Sequence, residues 1–242
     1  MKLAALSDIG KVRADNQDSF MAMRNRDGLV FLCVADGMGG HKAGDVASRV
    51  TVRELKSYFS MWENTNFFKS TKEISDMISQ INDNVYRLSC ENPEYEGMGT
   101  TLTLCVTNGE SAHVYHVGDS RTYVINKDGD IRRITKDHSL VQYMVDTGQI
   151  TAAEARKHPN RNVITRCIGT EDDVKVDFFK FELLPGDTVM LCTDGLTDGL
   201  TDSELAYIIH GSENADDACR KLVDAANERG GRDNITVVLM EC

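Results

Sequence analysis

The feature that most constrains the fold is a series of short apolar runs joined by very short connections. Runs with strand-like spacing occur at Lys2–Leu6, Ser19–Met23, Leu29–Ala35, Thr100–Val106, Ala112–Val117, Arg121–Ile125, Asp130–Ile134, Val163–Cys167, Val176–Glu182, Thr188–Cys192 and Ile235–Met240. Several are separated by only two to five residues with turn chemistry, such as TNGES, NKDGD and LPGD. Parallel strands need a crossover of about a dozen residues, so these connections dictate antiparallel pairing. Helical periodicity appears twice in the N-terminal half. Val46, Val50, Leu55 and Tyr58 share one face of Gly44–Phe59, and Ile74, Ile78, Ile81, Val85 and Leu88 share one face of Lys72–Cys90. Near the C-terminus, Thr201-Asp-Ser-Glu204 reads as a capping box opening a helix to Ile209, and Ala215–Arg229 is amphipathic before Gly230-Gly231. Two strand groups, each accompanied by a helix pair, imply sheet packed on sheet with helices on the outer faces. The expected class is α+β, a four-layer α-β-β-α sandwich. With no linker, repeat or low-complexity stretch, residues 1–242 read as one domain.

Aspartates punctuate these runs. Asp36-Gly37 closes LVFLCVADGMGG, Asp119-Ser120 closes HVYHVGDSR, Asp194-Gly195 closes TVMLCTDGL, Asp233 precedes ITVVLM, and Asp18 precedes SFMAM. A carboxylate at a strand tip is rigidly placed, and a following Gly lets the backbone turn and offer a carbonyl. Several such carboxylates in one cleft form an all-oxygen site for a hard cation such as Mg²⁺ or Mn²⁺. That arrangement suits two-metal phosphoryl chemistry. Asp128-Gly129 differs, because it lies between RTYVI and IRRIT and reads as a hairpin turn. No acidic residue follows it where a calcium loop would need its closing ligand.

Charge and composition exclude other classes. The formal charge is −11, with 24 Asp against 14 Glu, which argues against nucleic acid as a partner. No apolar stretch reaches the length of a membrane span, and MKLAALSDIG is too short for an export signal. The seven cysteines include no Cys-x-x-Cys pair, so reduced thiols in the cytoplasm are expected. His113 and His116 would point to opposite faces of a strand and form no zinc pair. GMGGHKAGD lacks the lysine placement of a phosphate-binding P-loop. Residues 137–170 interrupt the second strand group. Short helices are expected there near Ser139–Asp146 and Thr151–Lys157, in either a mobile flap over the site or a rigid surface subdomain.

The blocks SDIGKVRADNQDSF, VADGMGGHKAGDVAS, GMGTTL, HVGDSRTY, TKDHSLV, LCTDGLTD and GGRDNITVV follow one another along the whole chain. In order and spacing they resemble the type 2C (PPM) metal-dependent Ser/Thr protein phosphatases, in their compact bacterial branch. The resemblance implies the α-β-β-α sandwich independently of the pattern above. It also implies a phosphoprotein phosphatase that hydrolyses phospho-Ser/Thr with a water activated by two Mn²⁺ or Mg²⁺ ions. By that similarity Asp36 bridges the two ions with the Gly37 carbonyl, and Asp194 and Asp233 hold the first. Asp18 stands behind the metals or binds the second ion through water. Asp119 with Asp194 forms a third, weaker site. Arg13, Asp36 and Asp233 are the expected catalytic residues, and Arg13 and Asn234 the phosphate-binding ones. The implied partners are phosphorylated proteins and an opposing Ser/Thr kinase, and the expected state is a cytoplasmic monomer in signalling by dephosphorylation. Alternatives are a phosphatase of a phosphorylated anti-anti-sigma-type regulator, or a non-catalytic family member.

Two departures stand out. Gln17 occupies the place where many members carry Glu, removing one charge near the second ion. Met38 stands where eukaryotic members have a His that serves as general acid. His41, three residues on, reads as a surface or capping histidine, which leaves the acid unassigned.

Overall fold

The structure, a computed structural model, describes residues 1–62 and 71–242, and of residues 40–42 the backbone alone. The reading of His41 therefore lies outside the described residues. Among the described residues, eleven strands and seven α-helices follow in chain order. They are β1 (Lys2–Asp8), β2 (Asp18–Arg24), β3 (Val30–Met38), α1 (Gly40–Ser60), α2 (Thr71–Glu91), β4 (Gly99–Thr100), β5 (Leu102–Thr107), β6 (Ser111–Val117), β7 (Arg121–Ile125), β8 (Ile131–Arg133), α3 (Leu140–Asp146), α4 (Ala152–Ala155), β9 (Asp177–Glu182), β10 (Thr188–Cys192), α5 (Asp194–Gly199), α6 (Asp202–His210), α7 (Ala215–Glu228) and β11 (Ile235–Glu241). One sheet has the order β1-β11-β10-β7-β8, and the other β2-β3-β5-β6-β9 with β4 added to β3. Every pairing is antiparallel.

Strand β3 shows why its sequence is apolar without a break. Val30, Leu32 and Val34 pack between the sheets with Val114, Leu191 and Val238. Phe31, Cys33 and Ala35 face the opposite way, against Leu55 and Phe59 of α1 and Ile74 and Ile78 of α2. A strand covered on both faces loses the alternation of a half-exposed one. The second outer layer packs Leu196, Leu205 and Leu222 of α5–α7 on Tyr123, Met190, Val237 and Leu239. Three apolar layers between four structural layers give the expected sandwich. Each fully buried Leu or Phe adds roughly 1.5–3 kcal/mol of transfer free energy, so these layers carry most of the fold's stability.

Local signals are met in detail. Thr201 and Glu204 form the reciprocal capping box on α6. Gly129 has φ +87° in the β7–β8 hairpin, where Asn126 Oδ1 accepts from the Asp128 and Asp130 amides. The strand expected at Val163–Cys167 is absent. Within it only Ile164 forms a bridge, to Ser139, and Ile168 just beyond it pairs with Thr100 of β4. Its backbone instead meets the start of the 137–170 segment, with Leu140 N donating to Val163 O and Thr165 N to His138 O. Helix α5 does not follow from the sequence pattern, because TDGLTDG carries the chemistry of turns.

Candidate metal centre

The two sheets bring their aspartates to one end of the sandwich. Asp18 opens β2 and sits directly across from Asp36 on β3. Asp119 follows β6, Asp194 is the first residue of α5 after β10, and Asp233 lies two residues before β11. Arg13, Gln17, Asp36, Gly37, Asp194, Asp233 and Asn234 line one cleft of about 490 Å³. Asp119 borders an adjacent cavity of about 390 Å³ together with Asp137, Asp198 and Arg161, and Asp194 and Asn162 line both spaces. Asp18 borders neither and stands behind Asp36.

The electrostatics are those of a site built for a cation. Opposed like charges on paired strands are destabilising, and here Asp36 meets the charge of Asp18 across the strands and those of Asp194, Asp119 and Asp233 besides. Burial raises Asp36 well above the usual carboxylate range, and the charges of Asp18, Asp194, Asp119 and Asp233 raise it further. Burial likewise raises Asp194 far above its ordinary value, aided by Asp119, Asp198, Asp233 and Asp18. Asp119 is pushed up to about 7, first by burial and then by the charge of Asp137. Asp18 is pushed up to about 6 by burial, although hydrogen bonds from Thr236 and Thr193 act against the rise. Those bonds, 2.6 and 2.9 Å, both fall on Asp18 Oδ2. Asp18 Oδ1, Asp119 Oδ1 and Asp194 Oδ1 are buried with no hydrogen-bond partner in the protein. Buried polar atoms seldom lack one. All-oxygen donors with unpartnered carboxylate oxygens fit Mn²⁺ or Mg²⁺. Among the described residues, no three His, Cys, Asp or Glu side chains already stand as a closed cage. An open set of this kind suits cations that retain several water ligands.

The backbone around the cleft is tightly fitted. A Cβ on Gly37 would collide with Gly44 O, and one on Gly195 with Asn234 O, so glycine is required at both close approaches. Arg13 Nη2 donates to Asp233 Oδ2 at 2.7 Å, and this bond holds the half-exposed guanidinium firmly charged at the cleft mouth. Asn234 lines the cleft with its side chain engaged by the protein. Its two amide protons go to Ile9 O and Asp15 O, and its Oδ1 accepts from the Gln17 amide. Both its donors go to the 9–17 loop. It is the tie that holds the Arg13 loop to β11. Asp198 is a site residue that the sequence pattern alone does not single out. It lies four residues after Asp194, lines the adjacent cavity and raises both Asp194 and Asp119. Reading TDGLTDG as a helix would have put both carboxylates on one face.

Comparison with known proteins agrees with this geometry. The family model described as protein phosphatase 2C matches residues 11–239. The chain belongs to the protein phosphatase 2C family. A serine/threonine phosphatase of Listeria monocytogenes serotype 4b is 36% identical over 97% of this chain and 93% of its own. The protein phosphatase PhpP of Streptococcus pneumoniae is 36% identical over 99% and 97%. The crystal structure of serine/threonine phosphatase Stp1 from Staphylococcus aureus superposes with TM-score 0.95 at 37% identity, covering 100% of this chain and 94% of that one. This phosphatase 2C member is therefore a metal-dependent phosphoserine/threonine phosphatase, a phosphoric monoester hydrolase, on an α+β sandwich.

Proposed function

We propose that Asp36, the Gly37 carbonyl, Asp194 and Asp233 would together hold two Mn²⁺ or Mg²⁺ ions in the cleft, with Asp36 shared between them. The supporting observation is the meeting of buried carboxylates from both sheets, several with oxygens that no protein group satisfies. Asp18 has one oxygen committed to Thr193 and Thr236 and one left over, which suits action through a bridging water. Asp119 and Asp194 frame a third, weaker site in the adjacent cavity. Such ions supply an activated water at neutral pH and neutralise phosphoryl oxygens.

The chain's own groups do the rest. The described residues lining the cleft include no Ser, Thr, Cys, His or Lys, and with its aspartates engaged as cation ligands the attacking oxygen would come from water. Arg13 can turn from Asp233 to clasp two phosphate oxygens, a geometry that suits a planar guanidinium. Asn234 keeps the loop bearing Arg13 in place. Met38 lines the cleft and carries no proton, which leaves protonation of the departing alkoxide to water.

Residues 137–170 act as the flap of a single catalytic domain spanning 1–242. Asn162 and Ile164 of this segment line the cleft, and Arg156 Nη2 donates to Thr197 O and Leu200 O at the end of α5. The substrates are cytoplasmic phosphoproteins modified by an opposing Ser/Thr kinase, and the enzyme works as a monomer in signalling. No helix among the described residues is long and apolar enough to cross a membrane. The test is turnover of an aryl phosphate and a phosphothreonine peptide with Mn²⁺ and with a chelator. Hydrolysis that persists in metal-free buffer would refute the proposed centre.

A further inference from the structure

The turn carrying Asp119 is held by a residue outside the carboxylate cluster. Gly118 has φ +111°, and its amide donates to His138 Nδ1 at 3.0 Å. The Gly118 carbonyl, part of the peptide unit leading into Asp119, accepts from the His138 amide at 2.8 Å. Both polar groups of Gly118 therefore end on one residue, at the root of the 137–170 segment. Nδ1 thus accepts from the Gly118 amide, while Nε2 lies 2.9 Å from Arg166 Nη1 and 3.2 Å from Asp177 Oδ2. Asp177 is fixed in turn by Arg166 Nη1 at 2.7 Å. The His138 carbonyl accepts from the Thr165 amide, and the His116 ring lies against the imidazole with centroids 4.8 Å apart. The imidazole is buried and its plane is fixed from every side.

We propose that His138 is a positioning residue that aims Asp119 at its cation through this two-point clamp on Gly118. The peptide plane before Asp119 sets the direction of its Cα–Cβ bond, so a tilt of that plane moves the unpartnered Oδ1. The clamp also joins Asp119 to the Asp177–Arg166 pair, and with it to the segment that closes the adjacent cavity. The inference rests on the reading of Asp119 as a ligand of the weakest ion.

The test is calorimetric titration of Mn²⁺ into the whole protein, comparing the parent with His138→Leu, His138→Asn, His138→Gln and Asp119→Asn. The His138→Asn side chain would keep an acceptor where Nδ1 stands, while that of His138→Leu keeps bulk alone. Groups that orient a ligand typically alter metal affinity by about 10–100-fold. His138→Leu should therefore weaken the weakest binding event about tenfold or more and leave the two tighter ones unchanged, and His138→Asn should restore most of the loss. Amide exchange at Gly118 in the metal-free protein should quicken in His138→Leu and not in His138→Asn. Unchanged weak binding in His138→Leu, while Asp119→Asn abolishes it, overturns the clamp and leaves the Asp119 reading standing. Equal losses at all three events overturn it as well, since they mark a general structural defect. If Asp119→Asn retains every event, the Asp119 reading itself falls and the clamp with it. Should His138→Leu not fold, His138→Gln, whose amide reaches past the position of Nδ1, carries the test, and parental weak binding in that variant overturns the proposal.

Discussion

Asp36 stands opposite Asp18 on a neighbouring strand and near Asp119, Asp194 and Asp233, so its charge is opposed by four others until a cation arrives. Replacing it by Asn removes that repulsion and also the oxygen pair that a bridge requires. The expected result is a split between stability and function. In chelator, Asp36→Asn should be more stable than the parent by about 1 kcal/mol, of the kind seen when functional strain is relieved. Aryl phosphate turnover with Mn²⁺ should fall about a hundredfold or more. Melting curves and rates on the same preparations check this, and a variant both less stable and fully active would contradict it. Arg13 calls for the opposite pattern. Its ion pair with Asp233 is half exposed and contributes little to folding. Arg13→Ala should leave the melting temperature unchanged and raise KM more than it lowers kcat, because the guanidinium contacts the ground-state phosphate as well. A steep fall in kcat at constant KM would place Arg13 on the transition state alone.

The elements are legible wherever burial imposes a period. Phe31, Cys33 and Ala35 alternate with Val30, Leu32 and Val34 between two apolar layers, and Ile74, Ile78 and Ile81 keep one face of α2 inside. The rest is decided by tertiary contacts. Val163–Cys167 has the pattern of a strand, but within it only Ile164 finds a bridge, to Ser139 in the loop before α3. Helix α5 contains two glycines and little apolar periodicity, and it exists because Leu196 is buried and Gly195 allows contact with the Asn234 carbonyl. The site follows the same division. The strand-tip aspartates can be read from the sequence, whereas the fate of the Asn234 amide cannot, because it depends on carbonyls more than 200 residues away at Ile9 and Asp15. Asn234→Ala removes three hydrogen bonds to the 9–17 loop, at a cost of about 2–3 kcal/mol. For a chain of this length the melting temperature should drop by about 5–10 °C. Differential scanning calorimetry decides the point, and an unchanged midpoint would contradict the role of Asn234 as a tie.

At the scale of the whole molecule, the metal-free protein is set against itself by pH. The native pKa values of Asp18, about 6, and Asp119, about 7, lie above the ordinary carboxylate value, so the native state keeps protons that the unfolded chain has shed. The unfolded state then binds fewer protons, and stability from these groups is fully present below about pH 4 and lost as pH rises through about 6–7. His116 works in the other direction. Burial pushes it down to about 3, so its contribution is present above about pH 6.5 and lost on acidification towards 3. Metal binding needs the carboxylates deprotonated and releases their protons. The gain in melting temperature from Mn²⁺ over chelator should therefore grow from about pH 6 to about pH 8. A gain that shrinks over that range would mean the raised carboxylates are not the ligands. The most direct measurement is calorimetric Mn²⁺ binding to the parent and to Asp36→Asn. The parent should take up at least two ions, and the variant should lose tight binding of both, because one bridging carboxylate serves the pair. Two ions bound to Asp36→Asn as tightly as to the parent would contradict a centre bridged by Asp36.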